Sequence, residues 1–482
     1  MFWRGVWGYL PANIVQGVVG FLTIVVFTRL LSAEDFGRYA LAFSVLALAH
    51  VAVFTWVEAA MARFWAAEQT PGGLADLFAS LYRAAFALTL VFLPLAAATL
   101  WLWPGDAPLK IAVAAGLAGV PVRCLAQLAQ ERYRAAGEVA RAATFDMVRT
   151  IGAFVIGVGF ALAGAGAASP LLGLLLAPLA CLPFVLPREL AFARDGRADP
   201  ARLRGYLGYG YPIAASLALA LVLSSTDRFL LAAFLDAGAV GAYHAGYSLA
   251  NRTLDVMFIW LGAAGGPALV MALERGGRQA LREAAREQAA TFVLIALPAA
   301  AGLALVARPL AEVMIGQDLR ETAATITPWI ALGALLAGVT TYYFHQAFTL
   351  GRRTGWLLAA MAVPAGANVA LNLLLIPAFG VLGAAWATAA SFALGLLASV
   401  GMGRRIMPMP APWDALWRCG AATLVMALAV HHLPALGGFA ELALKAGVGA
   451  ILYAAVALAL NAAGVRDVAA RLFHTARART AT

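Results

Sequence analysis

The sequence predicts an all-α membrane protein of about fourteen transmembrane helices, and three observations predict it. Apolar runs long enough to cross a bilayer, which takes about 20 residues, recur roughly every thirty residues along the whole chain. The 482 residues are 63% apolar and only 12% charged, with a mean hydropathy of +0.84, which leaves no stretch for a separate aqueous domain. Glycine, proline and charge fall mainly between the runs. Because hydrocarbon offers a backbone no partner, each run must satisfy its own hydrogen bonds, and a helix is the local way to do so.

Taken in order, spans are expected near 7–30, 39–61, 84–103, 109–130, 147–166 and 169–187. A second set of six follows near 208–231, 240–264, 288–307, 323–346, 356–377 and 380–402, and a last pair near 415–433 and 442–463. The expected organisation is an N-terminal six-helix lobe (1–190), an inter-lobe linker (191–207), a C-terminal six-helix lobe (208–405), and two additional helices with a tail (406–482). Pro11, Pro121, Pro212, Pro298 and Pro364 lie in or at the mouths of spans, where a missing donor kinks a helix.

Orientation follows from sorting Lys and Arg by alternate connections, which gives 26 on the side of the N-terminus against 7 on the other, with Arg252 inside a span. By the positive-inside rule both termini are cytoplasmic, and so is the linker RELAFARDGRADPARLRG with its five arginines. The N-terminal MFWRGVWGYLPANIVQG runs straight into the first span without a small-residue cleavage site, and reads as an uncleaved signal anchor.

The net charge is +10, and 32 of the 34 basic residues are Arg, a skew that accompanies the high Ala content of a GC-rich genome. It does not indicate nucleic-acid binding. Cys124, Cys181 and Cys419 sit in or beside apolar runs with no paired spacing, so no disulfide, metal or other cofactor is expected.

The chain carries an internal repeat. LSAEDFGRYALAF at 31–43 and LDAGAVGAYHAGY at 235–247 share Leu, Ala, Gly and Tyr at an offset of 204, each between the first and second span of its half. Six spans per half is an even number, so both copies enter the membrane in the same direction, as parallel repeats that can enclose a central cavity.

These residues resemble the polysaccharide (O-antigen type) flippases of the multidrug, oligosaccharidyl-lipid and polysaccharide exporter superfamily. TRLLSAEDFGRYAL at 28–41 is similar to that family's first loop, DRFLLAAFLDAGAVGAYHAGYSL at 227–249 to its counterpart, and 351–392, with Asn368, Asn372, LIP and GAAWAT, to its most recognisable stretch. The resemblance covers about residues 1–405 and rests on apolar patterns rather than catalytic fingerprints. It implies alternating access between two lobes. The cargo would be an O-antigen, capsule or exopolysaccharide unit on polyprenyl pyrophosphate, carried from the cytoplasmic to the periplasmic leaflet of a bacterial inner membrane. The implied partners are the lipid-linked oligosaccharide and membrane lipids. A polysaccharide polymerase is a further candidate partner that the residues neither require nor exclude.

Moving a pyrophosphate and a sugar chain through hydrocarbon demands a polar, cationic path, so charged groups within spans are the candidate site. Arg252 lies mid-span in YSLANRTLDVMF, with Asn251 beside it and Asp255 one turn on; a mutually neutralised structural pair and a cavity-lining Arg are both compatible with that spacing. Arg29 ends the first span, and Arg228, next to Asp227, lies near the end of the seventh; snorkelling to the interface is the bland reading. Arg63, Arg123 and Arg149 lie near the cytoplasmic ends of spans two, four and five, where a guanidinium fork suits pyrophosphate and where simple anchoring also places arginine, the reading preferred for Arg149. Glu58 is buried late in the second span, off the face of Arg63, and is a candidate coupling acid together with Asp227 and Asp255. His50 on the same span reads as a hydrogen-bonded packing residue rather than a proton relay. Asn13, Gln16 and Thr23 give the first span a modest polar stripe.

Three rivals can be weighed. A drug/cation antiporter of the same superfamily would need an acid in the first or seventh span, and only Asp227 qualifies. A lipid II flippase has a similar fourteen-span plan. A membrane glycosyltransferase would need a large polar loop, and the longest connections span only about 20 residues.

Overall fold

The computed structural model describes residues 2–103 and 105–466, which form helices and short connections with no strand among them. The tail from 467 onward lies outside the described residues. The helices of the first part are α1 (Phe2–Leu30), α2 (Ala33–Val53), α3 (Thr55–Phe64), α4 (Pro71–Leu102), α5 (Ala107–Ala135), α6 (Val139–Leu162), α7 (Ser169–Ala193) and α8 (Pro200–Phe234). There follow α9 (Ala237–Leu305), α10 (Ala307–Met314), α11 (Arg320–Val339), α12 (Gln346–Leu350), α13 (Thr354–Arg404), α14 (Trp413–His431) and α15 (Gly438–Ala459). Among the described residues twelve helical stretches are long and apolar enough to cross a membrane. Two of these, α9 and α13, are each a pair of helices joined at a glycine with positive φ, Gly277 (+64°) and Gly380 (+58°), so the expected fourteen spans are accounted for.

One span and one connection differ from expectation in shape. The second is broken: α2 ends at Val53 and α3 starts at Thr55, with Phe54 bent between them at φ −114°, ψ −25°. The connection expected at 264–288 is largely helical, because the polar, Ala- and Arg-rich segment around it is a good helix former once outside hydrocarbon.

By contacts the chain divides into two units, residues 1–244 and 245–482. In the first, α5, α6 and α7 pack together, α1 lies on α6, and α2, α3 and α4 cover α5. Close approach depends on small residues: a side chain on Gly173 would overlap the Ala153 carbonyl oxygen, and Gly116 packs on Leu46. Ala126, Ala129, Tyr133, Ala142, Phe145, Leu182 and Val185 form a buried cluster near one end. Helix α8 packs on α2 and α3 of this unit. The short connection before it is tied to α4, since Asp76 accepts from the Arg197 backbone N–H at 2.8 Å and Asp199 caps α8 at Ala201. In the second unit α11 packs on α13, and α10 and α14 on α15, with Phe258, Phe292 and Tyr343 in edge-to-face contact. Leu90, Trp101 and Phe184 are each more than three-quarters exposed, the inside-out apolar surface that lipid requires.

The two copies of the repeat meet within the first unit. Ser32 caps α2 by accepting from the Asp35 N–H at 3.1 Å; Asp236, 204 residues on, caps α9 by accepting from the Ala239 N–H at 2.8 Å. A side chain on Gly37 would overlap the Ala237 carbonyl oxygen, and one on Gly241 would overlap that of Ala33. Residues 33 and 37 therefore exchange contacts with 237 and 241 as a two-fold relation demands, and glycine at both places lets the backbones touch.

Candidate functional site

Charged and amide side chains of α1, α5 and α6 form a polar cluster in the first unit. Its centre is Asp146 on α6, which is 4% exposed. Asp146 accepts from Gln16 of α1, from Gln130 of α5 at 3.1 Å and from Arg149 at 3.0 Å. Arg149 also donates to Gln130 Oε1 at 2.7 Å and Gln127 Oε1 at 3.3 Å, and Gln127 in turn donates to Glu131 at 2.8 Å. Arg149 is thus a member of a network that ties three helices, not only an interfacial anchor. Asp146 was not singled out in the sequence. The available signal was Asp-x-x-Arg on one span facing Gln-x-x-Gln on the next, with Gln16 on the first.

Arg123, one turn before Gln127, has no carboxylate within 4 Å of its guanidinium among the described residues. Glu58 itself, 8% exposed, lies with Oε1 3.0 Å from Nε2 of His50, which is 6% exposed; the pair bridges the break at Phe54. Arg63, further along α3, is exposed and lies 6.0 Å from the ring centroid of Tyr209 on α8.

Asp227 and Arg228 of α8 meet the first turns of α9. The Tyr243 hydroxyl donates to Asp227, and Arg228 Nε donates to His244 Nδ1 at 3.1 Å, which fixes that imidazole with its other nitrogen protonated if neutral. Arg228 is buried and also donates to the Ser224 carbonyl at 2.8 Å, so it does not simply snorkel. Arg29 is exposed and donates to the Val25 carbonyl of its own helix at 2.7 Å.

In the second unit, Asn251 donates to Asp255 at 2.5 Å. Arg252 is exposed, and no carboxylate lies within 4 Å of its guanidinium among the described residues, so the Arg252–Asp255 spacing does not close into an ion pair. Asn368 and Asn372 are fully buried on α13, where Asn372 donates to the Asn368 carbonyl at 2.9 Å. The predicted residues therefore fall into separate sets: Glu58 with His50, Asp227 beside Arg228, and Asn251 with Asp255. Arg29 and Arg63 stand at helix ends.

The exposed arginines among these side chains, projecting from long apolar helices, can donate hydrogen bonds to anionic groups. Comparison with solved structures agrees on the fold. The lipid II flippase MurJ in an inward closed conformation superimposes with a TM-score of 0.77 at 13% identity, over 95% of this chain and 99% of that one. A multidrug resistance MATE family transporter of the MOP superfamily gives 0.62 at 14% identity, over 82% and 94%. A MOP superfamily transporter from Pyrococcus furiosus gives 0.52 at 15% identity, over 83% and 92%. No curated protein matches by sequence. Residues 26–324, well over half of the chain, match the family described as polysaccharide biosynthesis protein, and the chain belongs to that family.

Proposed function

We propose that the protein is a flippase that moves a polyprenyl-pyrophosphate-linked oligosaccharide from the cytoplasmic to the periplasmic leaflet of a bacterial inner membrane. Transport would proceed by alternating access of two six-helix lobes, 1–190 and 208–405, with both termini cytoplasmic. The observation that carries this reading is Arg252: an exposed arginine in mid-span, with no carboxylate within 4 Å of its guanidinium among the described residues, on a chain of the polysaccharide biosynthesis family with a transporter fold. Keeping a guanidinium at that depth costs several kcal/mol unless something uses it, by estimates of about 2.5–3.5 kcal/mol or more. A pyrophosphate, which takes the planar fork bidentately, is the part of the cargo best suited to do so. Arg123 and Arg63 supply further donors in the first unit, while the polyprenyl tail stays in lipid.

The likeness to a lipid II flippase supports a second reading, in which the glycan is a peptidoglycan precursor on the same kind of carrier. Removing the protein from its host separates the two. The flippase reading predicts that lipid-linked glycan accumulates in the inner leaflet, accessible to a membrane-impermeant glycan-modifying reagent only from the cytoplasmic side. Loss of surface glycan with an intact wall favours the polysaccharide unit, and lysis with accumulated wall precursor favours the second reading. Unchanged distribution of every lipid-linked glycan, together with altered drug efflux, would put the drug/cation antiporter in its place.

A further inference from the structure

Helices α4 and α7 of the first unit pack side by side, and the start of α4 and the end of α7 border an open groove of about 460 Å³. Small residues leave the space, Ala79 on α4 with Ala191 and Ala193 on α7, and Phe86 and Leu190 give it an apolar lining. Arg83 of α4 and Arg194, the C-cap of α7, line the same groove, one from each helix. Arg83 stands just ahead of the apolar run expected at 84–103, Phe86 lies inside that run, and Arg194 follows the run expected at 169–187 by about two turns. The groove therefore reaches from the membrane interface into the hydrocarbon, and its volume is in the range of about 300–1,000 Å³ that holds a small organic ligand.

Both arginines are exposed, and among the described residues no carboxylate lies within 4 Å of either guanidinium. Arg83 makes one long hydrogen bond, 3.4 Å, to the Gly196 carbonyl. The acids around them are turned to other partners: Glu189 is buried and accepts from Arg132 and Tyr82, and Asp76 accepts from the Arg197 N–H. Asp195, next in the chain to Arg194, is exposed and forms no ion pair with it. The same two helices carry Leu90 and Phe184 bare on their outer faces, so what surrounds the groove is lipid. A single arginine at such a depth needs no more than snorkelling to explain it. Two arginines from separate helices, bordering one apolar slot, also fit the two ends of one amphipathic molecule: an anionic head for the guanidinium groups and a hydrocarbon chain for Phe86 and Leu190.

We propose that the α4–α7 groove binds an anionic phospholipid of the phosphatidylglycerol type, with its phosphate held by Arg83 and Arg194 and an acyl chain lying along Phe86 and Leu190. The inference is independent of what the protein carries. A zwitterionic lipid would bring an ammonium group up to two guanidinium groups, so net negative charge sets the preference. The groove opens on the outer surface, and the lipid enters it from the bilayer without any movement of the helices. Once bound, it joins α4 to the end of α7 beside Gly196, where Asp76 already ties the connection to α4, and so it stabilises the folded first unit by mass action.

The test uses the full-length protein, delipidated in mild detergent and offered dioleoyl phosphatidylglycerol or dioleoyl phosphatidylcholine, with bound lipid counted by native mass spectrometry and stability read by thermal unfolding. Wild type should retain phosphatidylglycerol in preference to phosphatidylcholine and unfold at a higher temperature with it. Arg83→Ala and Arg194→Ala should each weaken that retention about fivefold, the worth of one interfacial arginine toward an anionic lipid. Arg188→Ala, which removes an exposed arginine of the same helix that does not line the groove, should leave it unchanged. Ala191→Trp, at an exposed position where folding is not at stake, should fill the groove and abolish retention with both arginines in place. Equal retention of the two lipids, or an equal loss in Arg188→Ala, would reduce the site to general surface charge and overturn the proposal. Undiminished retention in Ala191→Trp would overturn it too, because the groove would then play no part. Preference for undecaprenyl phosphate over phosphatidylglycerol in a competition would replace it with a site for the carrier lipid.

Discussion

Asp146 with Arg149 and Arg252 with Asp255 are the same two residue types at the same spacing, one pair in each unit, and they end in different states. The first closes at 3.0 Å and recruits three amide side chains. In the second no carboxylate lies within 4 Å of the guanidinium among the described residues, and Asp255 takes its hydrogen bond from Asn251. Sequence order accounts for the difference. Side chains on a helix lean toward its N-terminus, so a long Arg placed after the acid reaches back over it, whereas an Arg placed before the acid leans away. Other pairs on this chain follow the rule. The acid-first pairs Asp35–Arg38, Glu131–Arg134 and Glu138–Arg141 close to 3.3, 2.8 and 2.6 Å, while the base-first Arg308–Glu312 stops at 3.6 Å. Asp199–Arg202, at 3.8 Å, is drawn out because Arg202 is shared with Glu68 and Asp76. One charged pair in this protein is thus built as a fixed tie, and the other leaves an arginine available.

The comparison can be broken most forcefully at the tie. Asp146→Ala leaves Arg149 part-buried with only amide partners, and should cost about 3–5 kcal/mol and most of the folded protein. Size-exclusion profiles and thermal unfolding in detergent would read it, and an unchanged midpoint would show that the network does not hold α1, α5 and α6 together. Exchanging the order in the second unit, with Arg252→Asp and Asp255→Arg in one chain, should close the pair. The expected result is normal accumulation with flipping reduced about tenfold or more, the loss of one charge-assisted contact; normal flipping would mean that the position of the arginine on the helix does not matter.

The repeat contact gives a smaller effect. Gly37→Ala places a methyl on the Ala237 carbonyl and should destabilise by about 1–3 kcal/mol, while Gly17→Ala, which meets nothing within 4 Å, serves as the neutral comparison. Equal unfolding midpoints for the two variants would refute close apposition of the repeats. The smallest change expected is at the caps: Ser32→Ala should cost about 1 kcal/mol and Ser32→Asp close to nothing, since Asp236 already fills that role in the other copy.

How much of this was legible in the sequence depends on the distance over which each feature is determined. The fourteen spans were, because hydrocarbon forces long apolar runs wherever the chain crosses. The break at Phe54 was not, since neither Pro nor Gly marks it and helix propensity alone carries AHVAVFTWVE straight through. The helix across 264–288 was read as a connection because polarity locates a segment outside the bilayer but does not unwind it. The repeat was visible in its shared letters, yet the equivalence of Ser32 and Asp236 lies in what their oxygens accept rather than in their identity. Arg252 stood out as a charge in mid-span. That its guanidinium does not close on Asp255 turned on side-chain direction, and the place of Asp146 beside Gln16 depended on a contact across 130 residues that no local pattern encodes.

The account stands on Arg252 as a free donor for the cargo, and one measurement addresses it directly. Wild type and Arg252→Ala, each purified and shown to accumulate and unfold alike, are reconstituted into liposomes, and transfer of the lipid-linked glycan between leaflets is timed. Transfer should fall to the protein-free rate in Arg252→Ala and recover only in part with Arg252→Lys, whose point charge lacks the bidentate fork. Undiminished transfer by well-folded Arg252→Ala would contradict the account.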